Sequence, residues 1–181
     1  VTDDTNKRLQ KFTKDGEFVL TFGDRGRPEE RIGVCFSMFI DKADHIWAAD
    51  MKNHRVQIYN TDGKYIRSIG QEGKNPENLF EPISICCLEN GDYLIGDKSE
   101  YLLKRFNSQG KLLHTLKRDG LACDAFYFIA SHPIHGIFAA DTWMNRILQL
   151  DSELKIISVH DQAGRRGGQF GKVTGMSIKD N

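Results

Sequence analysis

Short runs in which apolar and polar positions alternate follow one another along this chain. Within Arg55–Tyr59 the apolar positions are Val56 and Ile58, a spacing of two that marks a strand with one face turned to a core. Further short runs, some alternating and some apolar throughout, read as strands at Arg8–Phe12, Phe18–Phe22, 34–40, 46–49, 83–88, 93–95, 102–106, 112–116, 125–130, 137–140, Arg146–Leu150, 155–159 and 173–178. Asp15-Gly16 and Asp62-Gly63 stand between paired runs and predict tight hairpins with primed turns, which need residues tolerant of positive φ. No segment carries a helical period, and no ten-residue stretch is free of turn signals.

The runs belong to a repeat. A shift of 47 positions carries Asp3, Asn6, Arg8, Asp15, Gly16 and Gly23 onto Asp50, Asn53, Arg55, Asp62, Gly63 and Gly70. The same shift carries Asp50, Tyr59, Asn60, Gly63 and Ile69 onto Asp97, Phe106, Asn107, Gly110 and Leu116, and a looser copy begins at Asp141 with Arg146, Ile147, Leu150 and Lys155. The repeat cores lie near 3–23, 50–70, 97–117 and 141–159. Four short strands per unit of 44 to 47 residues describe one propeller blade, whose faces are buried by its neighbours. The expected fold is an all-β propeller of four-stranded blades occupying 1–181 as one domain, with about four units present.

Composition narrows the picture only slightly. The 181 residues suffice for one sizeable core, and 25 basic against 25 acidic residues give no global attraction to nucleic acid or membrane. No apolar run approaches a membrane span, and the chain opens at Val1 inside a repeat. Cys35, Cys86, Cys87 and Cys123 lack zinc-like spacing and read as reduced sheet residues, so a cytoplasmic setting is expected.

Asn53-His54-Arg55-Val56-Gln57-Ile58 resembles the motif after which NHL repeats are named. Ile46-Trp47-Ala48-Ala49-Asp50 before it, Asp62-Gly63 and Ser68-Ile69-Gly70 after it, and Phe80-Glu81-Pro82 at the entry to the next unit extend the resemblance. Asn6-Lys7-Arg8-Leu9-Gln10 is a second copy, Asn145-Arg146-Ile147 a partial one, and Glu100-Tyr101-Leu102 has lost both Asn and Arg. The resemblance is to NHL domains of tripartite-motif proteins, which implies a ring of six blades, about 280 residues at this period, of which this chain would be a part. It also implies a parent carrying RING and B-box domains with ubiquitin-ligase activity, and a propeller that docks a protein partner or ligase substrate, or binds RNA to repress a message. Some NHL-like propellers are instead lyases or lactonases with calcium or zinc in the central channel.

The candidate residues fall into two sets. Asp3/Arg8, Asp50/Arg55 and Asp141/Arg146 recur at fixed spacing and are expected as structural clamps between strand ends and loops. The second and fourth loops of each unit share one face of the ring, and there Arg25, Arg27, Arg31, Lys52, His54, Lys74, Lys98, Arg165 and Arg166 make a candidate positive binding surface. Tyr101 and Trp143 lie in or beside matching loops. The glycine loops lack the following helix that a phosphate cradle needs, and Cys123, His132, His135 and Asp141 have ligand chemistry without metal spacing. No Ser-His-Asp set or nucleophile elbow is present, so the chain is expected to be a non-catalytic binding module. Its expected partner is a protein or RNA, with no cofactor, metal, membrane or small-molecule substrate.

Overall fold

The structure, a computed structural model, describes residues 1–181 except 74, 100, 118–122, 124, 161–163, 165, 168, 169, 172, 174 and 179–181. β1 (Thr2–Asp3), β2 (Arg8–Phe12) and β3 (Phe18–Phe22) form a three-stranded sheet. Three four-stranded sheets follow. The second is β4 (Cys35–Ile40), β5 (Ile46–Asp50), β6 (Arg55–Tyr59) and β7 (Tyr65–Ile69). The third is β8 (Pro82–Cys87), β9 (Tyr93–Asp97), β10 (Tyr101–Phe106) and β11 (Leu112–Lys117), and the fourth is β12 (Phe126–His132), β13 (Gly136–Asp141), β14 (Arg146–Leu150) and β15 (Ile156–His160). Every pairing is antiparallel between sequence neighbours. The result is an all-β, partial propeller: three complete blades preceded by the outer part of another. Residues 173 and 175–178, expected as a further strand, form none.

The period-2 pattern has a different cause from the one expected. β6 is not half-buried: Val56 to Tyr59 are all buried, and so is the whole of β5. Alternate side chains leave opposite faces of the blade and enter two different cores. Leu9, Phe22, Ile46, Ala48 and Tyr59 pack between the first and second sheets. Trp47, Ala49, Val56, Ile58, Leu79, Tyr93 and Phe106 pack between the second and third. A third core of Leu94, Leu102, Leu103, Phe126, Leu148 and Leu150 joins the third and fourth sheets. A central blade has no solvent face, so its one polar middle position, Gln57, needs bonded partners. Its amide donates to Asp50 Oδ2 at 2.9 Å and to the Arg31 carbonyl at 2.6 Å, and accepts from the Tyr59 hydroxyl at 2.7 Å.

The hairpins also differ from the primed turns expected. In the β6–β7 turn the Gly63 amide donates to the Asn60 carbonyl at 3.0 Å, the Asn60 amide to the Lys64 carbonyl at 3.0 Å, and only Gly63 has positive φ, +75°. That is a three-residue loop with one left-handed residue and a bulge at Tyr59. The Asn60 side chain fixes it by accepting from the amides of Asp62 and Lys64. Asp41, Asn107 and Asp151 do the same in other turns. A Cβ on Gly63 would lie 2.7 Å from Phe22 Cβ of the preceding blade. Gly63→Ala is therefore expected to cost about 1–2 kcal/mol from the left-handed backbone alone and more from the contact, read as a lowered urea midpoint.

Candidate functional site

At the end of each blade's second strand an aspartate gathers the neighbouring loops. Asp50, fully buried, accepts from the Gly33 amide at 3.0 Å and the Asn53 side chain at 2.7 Å, and pairs with Arg55 at 3.5 Å. The Arg55 guanidinium continues to the Arg31 carbonyl at 2.7 Å. Asp3 pairs with Arg8 at 2.8 Å, and the Asn6 and Arg8 side chains hold its carboxyl below the ordinary carboxylate range. Asp141 pairs with Arg146 at 2.9 Å and takes the amides of Trp143 and Met144. In the third blade, where the motif has lost its arginine, Asp97 accepts from the amides of Phe80 and Glu81 and its cation is Lys104, two positions further along the strand than Arg55 in the repeat. Sequence comparison at the arginine position alone misses this substitution. The shared alternation of β6 and β10 would have found it, since residues two apart point the same way.

The expected positive surface is largely neutralised from within. Arg27 pairs with Glu29 at 3.1 Å and Glu30 at 2.7 Å, Arg25 approaches Asp24 at 3.7 Å, and Lys98 pairs with Glu81 at 3.2 Å. Arg31 donates to the Gly26 carbonyl, and the His54 ring bonds the Phe80 carbonyl from a left-handed backbone. Lys52 is exposed in the short helical turn Met51–Asn53, and Arg166 lies in the loop after β15. Lys74 and Arg165 lie outside the described residues.

A concave site lies elsewhere, along the ring axis. The first strands of the complete blades, β4, β8 and β12, stand side by side. Their exposed sides, with residues 176–178, bound a cavity of about 540 Å³. Phe36, Met38, Tyr127, Phe128, Ile129 and Met176 supply most of its wall, with Ser37, Ser131, Ser177 and Cys86 as small polar points. Burial pushes the Cys86 thiol up despite its hydrogen bond to Ser131, so it is a neutral wall group rather than a thiolate. A channel calcium or zinc does not fit this wall. Among the described residues no carboxylate or imidazole lines it, and no group of three His, Cys, Asp or Glu converges.

At the face opposite the candidate positive loop surface the cavity meets a second one of about 390 Å³, sharing Phe39, Ser131 and Ile178. Its mouth is the turn 41–45. Burial opposes ionisation of Asp41. The Trp47 indole (2.8 Å), the amides of His45 and Ala43 and the His45 ring outweigh it and hold the carboxyl below its usual range. With a depressed folded pKa, this stabilisation is present above the unfolded value of about 3.9 and is lost as pH falls through the folded one. Exchange of the Trp47 indole proton is expected to quicken only as pH falls below the ordinary carboxylate range, and Asp41→Asn should abolish that acid step.

No family model matches the sequence, and no curated protein matches it. Among solved structures, virginiamycin B lyase from Staphylococcus aureus is similar, with a TM-score of 0.66 and 15% identity over 87% of this chain and 50% of the lyase. A catalytically inactive histidine-to-alanine variant of that lyase, solved with quinupristin, gives the same values. A putative exported protein from Bacteroides fragilis is similar with a TM-score of 0.65 and 19% identity, over 86% of this chain and 45% of that one. The chain thus spans about half the length of the lyase. At these identities the likeness is one of fold: it carries the propeller and its repeat, and does not reach tripartite-motif proteins, RNA binding or ubiquitin ligation. The expectation of a non-enzyme is corrected, because the structures sharing this architecture include an enzyme. The physical reason is that a propeller assembles a site from loops a whole repeat apart, which a search for local nucleophile–base spacing does not detect. No helix among the described residues is long and apolar enough to cross a membrane.

Proposed function

We propose that this chain is the substrate-holding part of a lyase-type propeller, taking a bulky, largely apolar small molecule into its axial cavity. The observation that carries this is the cavity wall: about 540 Å³ bounded by Phe36, Met38, Tyr127, Phe128, Ile129 and Met176, with hydroxyls and one thiol for orientation. Small-molecule sites have this size, about 300–1,000 Å³, and this mix of apolar wall and few polar points. A phosphate backbone would instead require cations, and those on the loop face are spent on Glu29, Glu30 and Glu81. Among the described residues this wall carries no carboxylate, imidazole or ammonium, and the part proposed for it is binding and exclusion of water.

The test is calorimetric titration of the folded chain with quinupristin and with the neutral probe N-phenylnaphthylamine. Saturable binding of either is expected, weakened at least about tenfold, or 1.4 kcal/mol, by Tyr127→Glu or Met38→Asp and unaffected by Arg25→Ala or Lys52→Ala. Binding of neither probe by a folded chain would overturn the proposal, as would a pattern in which only the Arg25 and Lys52 substitutions matter.

A further inference from the structure

The cavity at the opposite mouth has a chemistry of its own. Its floor is Phe39, Trp47, Cys87, Leu88 and Ile178, and its rim carries Asp41, Lys42 and Glu89. Lys42 and Glu89 occupy the same turn position one repeat apart, and their side chains meet at 2.9 Å, so the pair spans two blades across the opening. They are 77% and 57% exposed, and such pairs contribute little, about 0–1 kcal/mol. Asp41 is different: both its oxygens are occupied by Trp47, His45 and Ala43, so it adds negative charge without lone pairs to spare. Two carboxylates, Asp41 and Glu89, and the Lys42 ammonium thus ring an apolar, aromatic floor, with the His45 ring bonded to Asp41. Burial, reinforced by Cys86 and Asp41, pushes the Cys87 thiol up to about 12, so the floor adds no further charge at neutral pH.

We propose that this mouth is a second binding site, for a small molecule pairing a primary ammonium with an aromatic or branched apolar group. The ammonium replaces Lys42 on Glu89, and the apolar group covers the floor beside Trp47. The replacement is favourable because a weak exposed pair gives way to one made beside a second carboxylate, with apolar surface buried at the same time. The site stands on residues distinct from those tested for the axial cavity and does not depend on that function.

The chain has two tryptophans, and Trp143 is 74% exposed, so Trp143→Phe leaves Trp47 as the reporter. In that background, 2-phenylethylamine is expected to change the emission saturably, and 3-phenylpropionate is not. Glu89→Gln should weaken the amine at least tenfold, whereas Lys42→Gln, which frees Glu89, should tighten it. Tyr127→Glu should leave it unchanged, separating this site from the axial one. Equal response to both probes, no saturable response, or an amine affinity indifferent to Glu89→Gln overturns the proposal, and so does weakening by Lys42→Gln.

Discussion

Lys104→Met is expected to lose about 3–5 kcal/mol of stability, the largest effect of any single substitution proposed. Lys104 and Asp97 are both wholly buried, paired at 2.8 Å, and Lys104 also donates to the Asn78 carbonyl and lies 5.8 Å from the Tyr101 ring centroid. Removing the cation leaves a buried carboxylate whose remaining partners, the Phe80 and Glu81 amides, do not neutralise it. A domain of this kind has only about 5–15 kcal/mol in total, so the variant should lose a large share of its denaturant midpoint. The second blade solves the same problem with Arg55 and Gln57. Lys104→Gln combined with Leu102→Arg is therefore expected to be more stable than the sum of the two single changes, a positive coupling in a double-mutant cycle. Strict additivity would mean that the two blades do not use equivalent clamps.

Gly96→Ala should be costly although the repeat carries alanine at this position in two other blades. The matching positions of the neighbouring blades are Ala49 and Ala140, both fully buried. At Gly96, however, a Cβ would stand 2.1 Å from Ser84 Oγ and 2.6 Å from the Phe126 carbonyl oxygen. Those two groups are themselves bonded at 2.6 Å, the Ser84 hydroxyl donating across the blade interface. The methyl group must displace backbone of the next blade, overpacking of about 1–3 kcal/mol, and break a buried hydrogen bond worth about 1–3 kcal/mol when its partners are left unsatisfied. Ser84→Ala should relieve only part of this, because the Phe126 carbonyl remains in the way. Ala49→Gly, the reverse exchange one blade earlier, should cost only about 0.5–1 kcal/mol. Equal stability of Gly96→Ala and the parent chain would show that the third and fourth blades pack less closely than described.

Much of the architecture was legible in the sequence because a repeat displays its own period. Thirteen of the observed strands overlap the runs read as strands, and the Asp–Arg spacing forecast which side chains meet. Other features were not legible for definable reasons. Alternation in β5 and β6 separates two cores rather than core from solvent, a distinction that period alone does not make. The cation of the third blade moved from the Arg55 position to Lys104, which only the shared strand face reveals. The axial cavity leaves no mark in the sequence because its wall residues, Phe36, Met38, Tyr127 and Met176, are scattered over 141 positions and carry no motif. The positive loop face is overstated by the sequence, since its charges are conspicuous there while their pairing with acidic partners in the folded loops is not.

The chain's four methionines divide between the two surfaces. Met38 and Met176 line the axial cavity, whereas Met51 and Met144 lie in loops of the candidate positive face. Labelling all four methyl groups with carbon-13 and adding quinupristin or N-phenylnaphthylamine reads out directly where a small molecule settles. The proposed function predicts that the Met38 and Met176 signals shift together and saturate, while those of Met51 and Met144 stay in place. Shifts confined to Met51 and Met144, or none at all in a folded chain, would contradict it.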